Sequence, residues 1–158
     1  MSRVSIAAVG DYPIQGIWSP YLEDNFQLDK IIHADPAIKT LTQKPYPLIL
    51  IDPHIAPGLE YDDPKIRAIM RAPRGGPNPN YFAIGLRVIE RVRASDSVNR
   101  DTPILVATTY DPVVAGLFPG AKAAAQNAGA TEYLCVFDHG MQSLTAVVER
   151  LLASQVRR

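Results

Sequence analysis

The chain has 158 residues, 47% of them apolar and 20% charged, with 16 basic and 16 acidic side chains. That length suits one globular domain with a core that needs no disulfide or metal, and a formal charge of zero gives no overall pull toward nucleic acid or an anionic membrane. The single cysteine, Cys135, excludes an internal disulfide and suits a reducing cytoplasm; no early segment reads as a signal peptide, and no run reaches the about 20 apolar residues of a membrane helix.

Short β-branched runs alternate with longer helical patterns. Residues 3–10, RVSIAAVG, read as a first strand that runs into a turn at Asp11-Tyr12-Pro13. Ser19 followed by Pro20 has the form of an N-cap and first helical residue, opening a helix to about Phe26. Residues 28–34 form the next strand, and Asp35-Pro36 repeats the cap-plus-proline signal for a helix to Gln43. Residues 46–52, YPLILID, are apolar on both faces, as a strand in the middle of a parallel sheet must be.

The rhythm then breaks. Residues 53–80 hold six prolines and three glycines, with one short helix expected from Pro64 to about Arg71. A connection of this length inside a compact domain is uncommon and often functional. Beyond it, residues 81–95 place Phe82, Leu86, Ile89 and Val92 at helical spacing, and residues 102–109 form another doubly apolar strand. Residues 120–128 read as a small-residue helix stopped by Gly129, residues 131–137 as a fifth strand, and residues 143–153 as a last amphipathic helix.

Five strands, each followed by a helix, demand right-handed crossovers and a parallel sheet covered on both faces. The expected architecture is a three-layer α/β sandwich, flavodoxin-like, in one domain over residues 1–158 with a Pro/Gly-rich insertion at about 53–80. In such sheets function gathers at the strands' carboxyl ends, which here carry Asp11, Asp52, Thr108 and Thr109 and the segment 135–137. On the residues alone, Asp52 is open to three readings: a turn-capping carboxylate, a phosphoacceptor, or a ligand for something else. His33, His54 and His139 have no metal-ligand spacing, and no glycine-rich phosphate fingerprint is present; Gly75-Gly76 lack the lysine-serine ending of a P-loop.

The order of elements and the strand ends resemble the receiver domain of bacterial two-component response regulators over nearly the full length. IAAVGDYP is similar to that family's first strand and acidic turn, LILID to its third strand, TPILVATT to its fourth, and AKAAAQNAGATEYL to its fourth helix and fifth strand. The resemblance implies a sheet of order 2-1-3-4-5. It also implies Asp52 as phosphoacceptor, Thr108 as hydroxyl donor to the phosphoryl group and Tyr133 as switch aromatic. A magnesium ion would be held by Asp11, Asp52 and the backbone carbonyl of His54. The chain departs from the pattern at four places. Gly10 stands where the family has the first of two acids, and Leu134-Cys135-Val136-Phe137 stands where it has a lysine and proline. Pro53 removes the N–H after Asp52, and the short loop after the third strand becomes the long insertion. Arg67, Arg71 or Arg74 could replace the missing cation.

The resulting expectation is an atypical, stand-alone receiver-like signalling module in the cytoplasm, acting by protein–protein contact rather than as an enzyme. Its partner would be a histidine kinase or a downstream signalling protein, through the fourth helix, fifth strand and fifth helix with Leu117-Phe118 at their entry. A homodimer is compatible with this, and neither nucleic acid nor membrane is expected. The alternative is a flavodoxin-like or Rossmann-like enzyme that binds a small ligand over the strand ends, with residues 53–80 as its lid.

Overall fold

Strands apolar on both sides must be sandwiched between helices, and the chain arranges them so. The computed structural model describes residues 3–71, 79–108 and 120–156. Five strands, β1 (Val4–Val9), β2 (Phe26–Ile31), β3 (Ile49–Ile51), β4 (Ile104–Thr108) and β5 (Glu132–Cys135), form a sheet in the order β2-β1-β3-β4-β5, every pair parallel. The described helices are α1 (Tyr12–Leu22), α2 (Ala34–Gln43), α3 (Pro64–Arg71), α4 (Pro79–Val92), α5 (Ala121–Ala128), α6 (Val136–His139) and α7 (Met141–Gln155). Strand order and architecture are those expected from the sequence.

The period of two along each strand divides the core. Val9, Ile51 and Val106 face one side with Leu41, Ile84, Ile89 and Ala125 of α2, α4 and α5. Ala8, Leu50 and Ala107 face the other with Trp18 and Leu22 of α1 and Leu144 and Val148 of α7. Each of the large side chains contributes about 1.5–3 kcal/mol by leaving water. None of the described helices is long and apolar enough to cross a membrane.

Three expectations need correction. The first helix starts at Tyr12, not at Pro20: Asp11 is its N-cap, Pro13 falls in the first turn where no N–H is needed, and Pro20 lies inside it. His33 occupies the N-cap position of the second helix, so Asp35 sits within its first turn rather than ahead of it. The fifth strand stops at Cys135, because Val136 turns into the short α6. The helix at Pro64–Arg71 lies where expected.

The first part of the insertion is fastened to the body. The backbone N–H groups of Ala34 and Asp35, which begin α2, donate to the carbonyls of Ala56 (2.9 Å) and Pro57 (3.0 Å). Asp63 caps α3 by accepting from the N–H groups of Lys65 (3.0 Å) and Ile66 (3.1 Å). The same carboxylate receives Nε (3.0 and 3.1 Å) and Nη2 (2.9 Å) of Arg87 on α4, and Ile66 is fully buried against that face. These contacts set the backbone that leaves β3.

Candidate functional site

The site begins with register. Val9 of β1 stands opposite Ile51 of β3, and Ile51 opposite Val106 of β4, so β1, β3 and β4 run out at one rim. Asp52 follows β3 directly, and its N–H donates to the carbonyl of Val9 at 2.9 Å. Asp11, one residue beyond Gly10, and Thr108, the last residue of β4, share that rim with it. The sequence-predicted carboxylates and hydroxyl therefore lie at the carboxyl ends of three adjacent strands.

Their environments differ. Asp52 has 0% exposure, and its Oδ1 accepts the N–H of His54 at 2.9 Å, closing a tight turn around Pro53. Thr108 is 4% exposed and stands opposite Cys135 in the sheet register. Asp11 is half-buried, and its Oδ1 accepts the N–H of Ile14 at 3.1 Å, which commits one carboxylate oxygen to capping α1. The His54 ring packs 5.5 Å from that of Phe82, and burial pushes its imidazole down to about 4, so it is neutral at pH 7. The carbonyl of His54, the third ligand implied by the resemblance, belongs to the same turn as Asp52. Tyr133 stands opposite Val106 and is packed on the α4/α5 side of the sheet.

Two supports were invisible in the sequence reading. Gln15 is buried on α1, and its Nε2 donates to the carbonyls of Ala8 (2.6 Å) and Gly10 (3.2 Å), tying the end of β1 to the helix that Asp11 caps. Gly85 of α4 lies so close under the rim that a Cβ there would fall 2.1 Å from the carbonyl oxygen of Pro53. A glycine inside an amphipathic helical pattern is the one sequence signal that could have flagged the second.

The position of the missing lysine is filled by core. Val136 is 4% exposed and packs with Leu134 and Leu144. Arg67 is engaged elsewhere, donating to Asp62 Oδ1 (3.0 Å) and the carbonyl of Tyr61 (3.1 Å), and with Arg71 it lines a surface pocket of about 360 Å³. Arg74, Gly75, Gly76, Thr109, Leu117 and Phe118 lie outside the described residues. Among the described residues no group of three or more His, Cys, Asp or Glu could hold a metal ion.

No protein family matches the chain by sequence, and no curated protein does. Solved structures do. The receiver domain of a sensor histidine kinase from Pseudomonas aeruginosa, crystallised with magnesium in its active-site cleft, matches at TM-score 0.65 and 18% identity, covering 96% of this chain and 99% of that one. The chain has the fold of a response-regulator receiver domain. A CheY-like receiver domain from Methanospirillum hungatei matches at TM-score 0.63 and 15% identity, over 99% and 98% of the two chains. The chemotaxis protein CheY4 of Vibrio cholerae matches at 0.60 and 18%, over 95% and 99%. At this rim the chain places Asp11 in the turn after β1, the buried Asp52 after β3 and Val136 in the core after β5.

Proposed function

We propose that this chain is a receiver-type signalling module that works by protein–protein contact and has given up phosphoryl transfer, with Asp52 converted from acceptor to structural carboxylate. The observation that carries this is the burial of Asp52 at 0% exposure, with Oδ1 taken by the N–H of His54. A carboxylate nucleophile needs room for the incoming phosphoryl group and for in-line departure of its donor. The remaining supports are chemical. Gly10 supplies no carboxylate, Pro53 no N–H, and Val136 no ammonium for the charge that develops on the phosphoryl oxygens.

Magnesium fits this arrangement poorly. The ion holds on to several of its waters and uses one or two carboxylates beside them, whereas Asp52 is fully buried and one oxygen of Asp11 is already a helix cap. Bound there, magnesium would neutralise phosphoryl oxygens; in this reading the rim serves instead to fix the β1–α1 and β3–α4 connections. The expected partner is a protein of a signalling pathway, either a histidine kinase or a component downstream, which places the chain in the cytoplasm. Against the ligand-binding alternative stands the described part of its lid: residues 56–57 are hydrogen-bonded to α2, and Asp63, the cap of α3, is ion-paired to Arg87 of α4.

Incubation with acetyl phosphate and magnesium, read by intact mass, tests the proposal. The expected result is no phosphate adduct on either the wild type or Asp52→Asn. A phosphate adduct on the wild type that Asp52→Asn lacks would overturn it and establish Asp52 as the acceptor.

A further inference from the structure

The insertion presents one apolar side chain to water. Leu59 is 99% exposed, although the chain on either side of it is fastened. Before it, the carbonyls of Ala56 and Pro57 are taken by the start of α2, and Gly58 turns the backbone with a φ of +109° that other residues rarely adopt. After it, the Tyr61 carbonyl accepts Nε of Arg67 at 3.1 Å, the N–H of Asp62 donates to Asp35 Oδ1 at 3.4 Å, and Asp63 holds Arg87. Leu59 borders a depression of about 400 Å³ that His33, Asp35, Pro36, Gly58 and Glu60 also line. The chemistry of this depression is one-sided. Asp62, Asp63 and Glu90 nearby are ion-paired with Arg67, Arg87 and Lys65, whereas Asp35 and Glu60 enter no ion pair among the described residues. His33 adds an imidazole whose Nδ1 is buried with no hydrogen-bond partner among those residues.

We propose that this depression takes an arginine side chain of a partner protein, with Leu59 covered by an apolar residue beside that arginine. Charge selects a cation, because the carboxylates of Asp35 and Glu60 have no cation of the chain's own and would repel an acidic surface. A guanidinium carries its N–H donors in a planar fork and has no acceptor, so one side chain can serve both carboxylates and an imidazole nitrogen. A metal ion is not the occupant, since these groups are not disposed to share one. Leu59 selects a protein over a free small cation. A solvated leucine gains only when a second apolar surface covers it, and on a fastened loop little of that gain is offset by ordering the chain. The contact is small, hence weak and reversible. The inference rests on the reading of the chain as a module that works by protein contact, and names the chemistry of the partner. It does not depend on whether Asp52 takes phosphate.

Titration of the full chain with acetyl-arginyl-phenylalanine amide, followed by amide NMR shifts, tests it. The expected result is saturable shifts at His33, Asp35, Gly58, Leu59 and Glu60, with a dissociation constant between about 10⁻⁴ and 10⁻² M that rises at least about threefold in high salt. Glu60→Gln and, separately, Leu59→Ser weaken binding at least about threefold, while the melting temperature is unchanged because both side chains face solvent. Citrulline, the uncharged isostere of arginine, abolishes binding when it replaces arginine in the peptide. No shift at about 20 mM peptide overturns the proposal, and so does equal binding of the citrulline peptide or indifference to either substitution. Shifts at the same amides that grow with protein concentration before peptide is added would assign the face to a second copy and overturn it as well. Failure here is distinguishable from failure of the wider reading. A phosphate adduct on Asp52 with peptide binding intact overturns only the loss of phosphoryl transfer, and absent binding with no adduct overturns only this site.

Discussion

Replacing Gly85 by alanine puts the connection between the rim and α4 under direct load. The added Cβ would lie 2.1 Å from the carbonyl oxygen of Pro53, 2.3 Å from its Cα and 2.5 Å from its carbonyl carbon. All three are backbone atoms of the turn that Asp52 closes, so no flexible side chain can move aside. Restoring an ordinary contact of about 3.5 Å forces helix and turn apart by more than about 1 Å, enough to forfeit a quarter to a half of the dispersion attraction across that seam. Overpacking of this kind costs about 1–3 kcal/mol, and the better helix propensity of alanine returns about 0.5–1. Because Ile84, Val88 and Ile89 are drawn from the core with the helix, the net change is a destabilisation of about 2 kcal/mol. Gly16→Ala is the matched control: it also sits inside a helix but meets nothing within 4 Å, and gains about 0.5–1 kcal/mol. Urea unfolding followed by Trp18, the only tryptophan and fully buried, reads both. If Gly85→Ala proved as stable as the wild type, α4 would not be seated on the Pro53 backbone and the packing argument would fail.

Burial lowers His54 from 6.5 to about 4, so the unfolded chain takes up its proton first as pH falls. Stability is accordingly lost between about pH 6.5 and 4 and no further below; with its partial water contact discounted, the loss is about 1–2 kcal/mol. His54→Phe should flatten that part of the urea midpoint-versus-pH curve, and an unchanged slope would contradict the assignment. Burial works against the Asp63 carboxylate, yet Arg87 and the N–H groups of Ile66 and Lys65 outweigh it and hold its pKa below the usual 3.8. Its stabilisation is thus present above 3.8 and lost only as pH falls lower. Asp63→Ala removes the α3 cap and leaves Arg87 only Glu90, 3.2 Å away, at a cost of about 1–3 kcal/mol by urea unfolding. A loss under about 0.5 kcal/mol would mean that the pair does not hold the insertion.

The sheet was legible because parallel strands must be apolar on both faces: LILI and ILVA admit few other readings, and their alternation with helices called for a parallel sheet, while the order of its strands came from the resemblance to receiver domains. The rim was legible for the same reason, since Asp52 and Thr108 end such runs. What failed did so locally. Asp11 with Pro13 reads equally as a turn or as a cap with proline in the first helical turn, and only Trp18 and Leu22 packing on the sheet decide for the helix. Cys135-Val136-Phe137 continues an apolar run, and a four-residue helix leaves no periodicity to betray it. The supports of the site were hidden because they are tertiary. Asp63 is a recognisable cap before Pro64, but its partner Arg87 is 24 residues away, and nothing in the sequence says that Gly85 bears on Pro53.

A crystal structure of the chain grown with magnesium and beryllium fluoride addresses the central claim most directly. The account predicts Asp52 still buried, its carboxylate on the N–H of His54, and neither ion at the rim. Beryllium fluoride attached to Asp52 beside a magnesium ion held by Asp11 would contradict it.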